Sequence, residues 1–186
     1  MSLREDARAV LTAWAAPDPG QEALRVSYLE HLDAHEDAMW RDCLPGHLTA
    51  STAIISADGD RVALVLHRIH RMWLQTGGHC ESHDATLAEA ALREAAEESG
   101  IVGLTLLPAP VRLDRHTVPC GGGSVHLDVQ FAAVAPDDAV LVRDPDESAG
   151  LGWFPVDSPP EPTDDSVRDL VRAAVVAVRD HGPVRP

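Results

Sequence analysis

The chain of 186 residues carries 30 acidic against 15 basic side chains, a formal net charge of -15, with 45% apolar and 24% charged residues. That balance describes a folded globular chain rather than a disordered or fibrous one, and its field repels a phosphate backbone, which excludes non-specific nucleic-acid binding. All 15 basic residues are arginine, so chemistry that needs a lysine amine, from Schiff bases to the P-loop, is excluded as well.

From Arg4 to Arg41 the apolar spacing predicts two helices. Val10, Leu11 and Trp14 form the stripe of the first, Leu24, Tyr28, Leu32 and Met39 that of the second, and Pro17-Asp18-Pro19-Gly20 breaks them apart. Residues 1–45 are read as an N-terminal helical extension packed on a body of residues 46–186, the two forming one structural unit. Leu48 to Ala57 and Val62 to Leu66, joined by the Asp58-Gly59 turn signal, read as a hairpin. The segment from Gly77 to Asp84 reads as a loop. A helix follows from Thr86 to Ser99, with Thr86 and Glu89 at capping-box spacing and Gly100 suited to a left-handed end. Val102 to Leu107, Val111 to Val118 and Val125 to Val134 read as short strands, with Gly121-Gly122-Gly123 as a loop, and Leu151 to Val156 is a further apolar run. Asp164 to Asp180 closes the chain as a helix with Val167, Leu170, Val171, Ala174 and Val175 inward. Helices and strands do not alternate regularly, so a mixed sheet covered by helices is expected rather than a doubly wound parallel sheet.

Three scattered cysteines, Cys43, Cys80 and Cys120, make no disulfide framework. With no secretory pattern at the start and no apolar run of membrane-span length, the expectation is a cytoplasmic protein with no membrane partner. His79, Cys80 and His83 lack a second Cys or His pair at zinc spacing, and no zinc site is read from them.

The densest chemistry lies in Arg93-Glu94-Ala95-Ala96-Glu97-Glu98-Ser99-Gly100-Ile101. At about 100° per residue, Glu94, Glu97 and Glu98 share one helix face while Ala88, Leu92 and Ala95 line an adjacent apolar stripe. Like charges at these spacings cost a few tenths of a kcal/mol per pair, and Glu98 stands at the negative end of the helix dipole. Two readings follow. The face is solvated, with Arg93 paired to Glu97 at i,i+4, or a divalent cation such as Mg²⁺ or Mn²⁺, which prefers carboxylate oxygens, offsets the repulsion.

Taken with Gly77, Gly78 and Asp84 upstream, this segment resembles the signature of the Nudix hydrolases: a glycine, five residues, an acid, a spacer, then Arg-Glu-x-x-Glu-Glu-x-Gly and an apolar residue. Every specified position from Arg93 to Ile101 matches. Asp84 stands where the family usually has Glu, eight residues rather than seven separate it from Arg93, and Thr76 replaces a frequent proline. The resemblance implies an α/β/α sandwich around a mixed β-sheet. It also implies Mg²⁺- or Mn²⁺-dependent hydrolysis of a diphosphate in a nucleoside diphosphate linked to another group, with a small-molecule partner, no nucleic acid, and a monomeric or homodimeric state. It assigns metal ligation to Gly77, through its carbonyl, and to Glu94, Glu97 and Glu98. Arg93 orients the glutamates, and Arg93, Glu94 and Glu98 are the implied catalytic residues. For the general base Glu94 comes first, with His116, His126 and Glu147 as alternatives that are also candidates for substrate binding. A fold of this family that binds a nucleotide without hydrolysing it is the second functional reading.

Overall fold

Ser2 and Asp18 start the first two helices in different ways. In α1 (Leu3–Ala13) the Ser2 hydroxyl accepts the Glu5 N–H while the Glu5 carboxylate accepts the Ser2 N–H, a complete capping box. In α2 (Pro19–Ala34) Asp18 accepts the N–H groups of Gly20 and Gln21, with Pro19 preset for the first turn. The second helix ends at Ala34, short of the expected Arg41. Met39 is buried all the same, from a turn rather than from a helical stripe.

The computed structural model describes residues 1–117, 124–146 and 148–182. After the two helices come β1 (His47–Ile55), β2 (Arg61–His67), β3 (Trp73–Leu74), β4 (Thr76–His79), α3 (Leu87–Ser99), β5 (Thr105–Leu106), β6 (Arg112–Thr117), β7 (Val125–Val134), β8 (Ser148–Pro155) and α4 (Asp165–His181). The strands form one mixed sheet. Its axis is the parallel pair β1 and β7, in register from His47 opposite His126 to Ile55 opposite Val134. The outer edge of β1 is shared between β4, opposite Thr49 to Thr52, and β2, opposite Ile54 and Ile55, both antiparallel. β7 carries β6 and β5 on its far side, while β3 and β8 pair with β2. The hairpin and the Val125–Val134 strand lie where the periodicity predicts them. The segment 77–79 does not: it is strand, held by the free edge of β1.

Alternation along β1 and β7 decides what each face meets. Leu48 and Ala50 with Leu127, Val129 and Phe131 point to one side, where they join Leu3, Ala7 and Leu11 of α1, Tyr28 and Leu32 of α2, and Leu87, Ala90 and Ala91 of α3. Each fully buried leucine there contributes about 1.5–3 kcal/mol. On the other side Ala53, Ile55 and Ala132, with Val62 and Leu64 of β2, meet Val167, Leu170, Val171 and Ala174 of α4. The result is an α/β/α sandwich with a mixed sheet. Polar ties anchor the N-terminal helices to it. The Gln21 side-chain amide both donates to and accepts from the Leu113 backbone, at 3.0 and 2.7 Å, and the Tyr28 hydroxyl donates to the Asp114 carbonyl at 2.5 Å. Asp6 accepts the Leu87 N–H at 2.8 Å, satisfying one of the unpaired first-turn donors of α3.

Candidate active site

Helix α3 begins at Thr86, whose hydroxyl accepts the Glu89 N–H at 3.0 Å, and ends at Gly100 in the left-handed region. The capping box is half formed, because the Glu89 carboxylate takes the Ala85 N–H instead of the one on Thr86. Between these ends Ala90, Ala91 and Ala95 are buried, and Glu94 and Glu98 reach β4. Glu98 Oε2 accepts the Gly77 N–H at 2.9 Å. The Glu94 carboxylate lies against Gly78, 2.7 Å from where a side-chain carbon would sit. Gly77 has φ of 153°, and a side chain there would stand 2.6 Å from Ser51 Cα and 2.8 Å from the Ala50 carbonyl oxygen. Gly77 is therefore required by its contact with the β1 backbone, whereas Gly78 leaves the space that the Glu94 carboxylate occupies. Gly78→Ala should push the Glu94 carboxylate aside; with Glu94 a metal ligand, as the family resemblance implies, Mn²⁺ binding in an electron paramagnetic resonance titration should weaken about 10-fold or more. Glu94 is a flexible chain end, so the unfolding midpoint should move little.

Arg93 sits at the centre of this arrangement. Its Nε and one terminal nitrogen donate to the two oxygens of Asp84 at 3.1 and 3.0 Å, and the same terminal nitrogen donates to the His79 carbonyl at 2.9 Å. The other terminal nitrogen donates to Glu94 and to Glu97, each at 3.0 Å. The i,i+4 pair expected on a solvated face is thus present, within a larger network. Asp84 is one methylene shorter than the usual Glu and the spacer from it to Arg93 is one residue longer, yet the bidentate fork is closed. Burial raises the Asp84 carboxyl, but Arg93 and the Glu81 N–H outweigh it and leave the group below its ordinary range. The Asp84 hydrogen bonds, with those from Glu94, raise the Arg93 guanidinium further above its already high value.

Beside this turn lies a polar half-face of the sheet. In the β1–β7 register His47 stands opposite His126, Thr49 opposite Asp128 and Ser51 opposite Gln130. β4 adds His79 opposite Thr49, and β6 adds Asp114 opposite Asp128 and His116 opposite His126. Asp128 is buried and accepts hydrogen bonds from Thr49 at 2.9 Å, Ser51 at 2.6 Å and Gln130 at 3.1 Å. Burial still raises its carboxyl above the ordinary value. Burial lowers His47, lowers His79 to about 4 with help from Arg41 and His47, and lowers His126 to about 3 with help from the neighbouring imidazoles. His116 moves the other way, because Asp114 bonds its Nδ1 at 2.7 Å.

The His116–Asp114 pair predicts a pH dependence. A histidine raised by folding contributes stability that is fully present below its unfolded value near 6.5 and is lost as pH rises through the raised folded value. Asp114→Asn should therefore destabilise the protein more at pH 6 than at pH 9. It should also lower the His116 titration, followed by NMR, because the largest raising contact is lost while burial continues to oppose the charge.

The structure brings Gly77, Gly78, Asp84, Arg93, Glu94, Glu97 and Glu98 together. His116 and His126 lie on β6 and β7 along the polar half-face, linked to the turn through His79. Glu147, Cys120 and the three glycines at 121–123 lie outside the described residues. Cys80 is buried, which raises its thiol to about 12, and His83 is exposed beside Glu81, so neither joins His79 in a site. Sequence reading missed His47, Thr49, Ser51 and Gln130. The available signal was the matching alternation of His47-Leu48-Thr49-Ala50-Ser51 and His126-Leu127-Asp128-Val129-Gln130, which places five polar side chains and one acid on a single side.

Among the described residues, no helix is long and apolar enough to cross a membrane. No curated protein matches the chain. Solved structures do. A hydrolase of the NUDIX family from Clostridium perfringens aligns at 23% identity and a TM-score of 0.58, over 72% of this chain and 99% of that one. The E. coli dihydroneopterin triphosphate pyrophosphohydrolase aligns at 18% identity and 0.54, over 70% and 96%. The NUDIX domain of Shewanella oneidensis NrtR, complexed with ADP ribose, aligns at 17% identity and 0.53, over 80% and 96%. At these identities the likeness is one of fold. The sequence itself matches the family model described as the NUDIX domain over residues 46–174, well over half its length. With that match and the fold together, the chain belongs to the Nudix hydrolase family.

Proposed function

We propose that this protein hydrolyses a diphosphate bond in a nucleoside diphosphate linked to a further group, using Mg²⁺ or Mn²⁺. The observation that carries the reading is the convergence of Glu94 and Glu98 on the Gly77-Gly78 backbone, with Glu97 held on the same helix face by Arg93. The donor set fits the cation. Three carboxylates and a peptide carbonyl are hard oxygen ligands, and Gly78, with no side chain, lets the Glu94 carboxylate come close to the strand that carries the Gly77 carbonyl. In this reading Glu94, Glu97, Glu98 and the Gly77 carbonyl hold the metal.

When bound, the cation neutralises the diphosphate and acidifies the attacking water. The protein's part is positioning and proton transfer. Glu94 takes the proton from that water, and Arg93 fixes the angles of Glu94 and Glu97 through its paired donors while Asp84 fixes Arg93. Residues 46–186 form the catalytic body, and the N-terminal helices brace it from the side opposite the polar half-face.

The test is phosphate release from nucleoside triphosphates, ADP-ribose, nucleotide sugars, dinucleoside polyphosphates and dinucleotide cofactors. It is run with Mg²⁺, with Mn²⁺ and with chelator, and phosphatase is added to reveal monophosphate products. Turnover that needs the metal supports the reading and identifies the substrate class. Saturable nucleotide binding without turnover on any of them replaces it with a nucleotide-sensing module.

A further inference from the structure

We propose that His47, His79 and His126 form a second metal site, separate from the carboxylate turn and suited to a divalent first-row transition ion such as Zn²⁺. The three residues are far apart in sequence and meet because β4, β1 and β7 lie side by side. One ring nitrogen from each falls within 4.8 Å of the other two, and the ring centroids are 4.9 to 5.1 Å apart. A tetrahedral ion with Zn–N bonds of about 2.0–2.1 Å holds its nitrogens roughly 3.3 Å apart, within reach of small side-chain rotations.

Two observations point to a ligand rather than to simple packing. Nε2 of His47 and Nε2 of His126 are both buried with no hydrogen-bond partner among the described residues, and His47 itself is only 3% exposed. Buried nitrogens left unsatisfied are costly, and two in one cluster are explained together by a cation that takes both lone pairs. The outer partners suit ligation too. Ser124 Oγ lies 3.4 Å from Nδ1 of His47, where it can accept that N–H and leave Nε2 as the donor to a metal. Imidazole nitrogens select Zn²⁺ and its neighbours, whereas Mg²⁺ and Mn²⁺ prefer the oxygens of the turn, so the two sites sort cations by chemistry. Three imidazoles leave the fourth tetrahedral position open.

Arg41 makes the site conditional. Its guanidinium, which can only donate, bonds Nδ1 of His79 at 3.1 Å. A metal on Nδ1 takes the same lone pair. A metal on Nε2 moves the ring proton to Nδ1, which then faces another donor. Either way Arg41 must leave, and its positive charge opposes the cation until it does.

The test uses the full chain, freed of metal with chelator and kept in a large excess of Mg²⁺ to saturate the carboxylate turn. Zn²⁺ is titrated against a chromophoric chelator, and Co²⁺ is followed by its visible ligand-field bands. The expected result is one tight equivalent of Zn²⁺ and a four-coordinate Co²⁺ spectrum. His79→Ala and His126→Ala should each weaken binding by about 100-fold or more, Arg41→Ala should tighten it by roughly tenfold, and Glu98→Gln should leave it unchanged. Thermal unfolding of each metal-free variant checks that it folds, and His79, on a short edge strand, is the milder change of the two. The proposal is overturned by the absence of binding under excess Mg²⁺, by binding that persists in the folded histidine variants, or by binding lost in Glu98→Gln, which would return the metal to the turn.

Discussion

Glu98→Gln is expected to lower metal-dependent hydrolysis by about 100-fold or more while the protein keeps its fold. The two side chains have the same shape, and the amide oxygen of Gln can still accept the Gly77 N–H that Glu98 accepts at 2.9 Å. What disappears is one negative charge from the proposed ligand set. Loss of a partner that merely orients a metal ligand costs about 10–100-fold, and removing the charge of a ligand itself costs at least as much. Steady-state rates across a Mn²⁺ titration, with circular dichroism and a thermal melt as controls, measure the effect. A variant with parental rates at saturating and limiting metal alike would remove Glu98 from the site. Relief of like-charge repulsion along α3 works in the opposite direction on stability, so the melting temperature of the metal-free variant should hold or rise slightly.

Arg93→Ala is expected to produce the largest loss of stability of any single change at the site, about 3–5 kcal/mol. Its side chain is 14% exposed, and that of Asp84, its bidentate partner, is 2% exposed. Removing the guanidinium leaves Asp84 as a buried charge supported by the Glu81 N–H and the exposed His83 ring 3.9 Å away, and strips the His79 carbonyl, Glu94 and Glu97 of their shared donor. For a chain of this size the loss corresponds to a fall in melting temperature on the order of 10 °C. Arg93→Lys should recover only part of it, because an ammonium cannot span both Asp84 oxygens. A double-mutant cycle with Asp84→Ala, read by urea unfolding, separates the pair from its surroundings. If the double variant is no more stable than the sum of the two single losses predicts, Asp84 and Arg93 are not coupled, and the bracing role given to Asp84 fails.

The Asp84 position shows how far a local pattern reaches. Its departure from the usual acid and spacing is visible in the sequence, but whether the carboxylate reaches Arg93 depends on the path of residues 79–86 in space, and the structure closes the contact. The N-terminal helices show the same division. Their caps at Ser2 and Asp18, and the break that ends where Pro19 opens α2, are local chemistry. The end of α2 at Ala34, with Met39 buried from a turn, depends on how the following segment enters β1.

What the sequence by itself determined is the acidic helix: its start at Thr86, its end at Gly100, and the shared face of Glu94, Glu97 and Glu98. Each of these follows from hydrogen bonds and angles within a few turns of one helix. Only the tertiary structure decided that Thr76 to His79 is a strand. A Gly-Gly segment has little strand preference of its own, and the open edge of β1 supplies the pairing that makes it one. The tertiary structure alone also placed His47, His79 and His126 in one cluster. Their proximity comes from the register of three strands whose pairing spans most of the domain, and register of that kind is set by packing between distant segments rather than by any neighbouring residue.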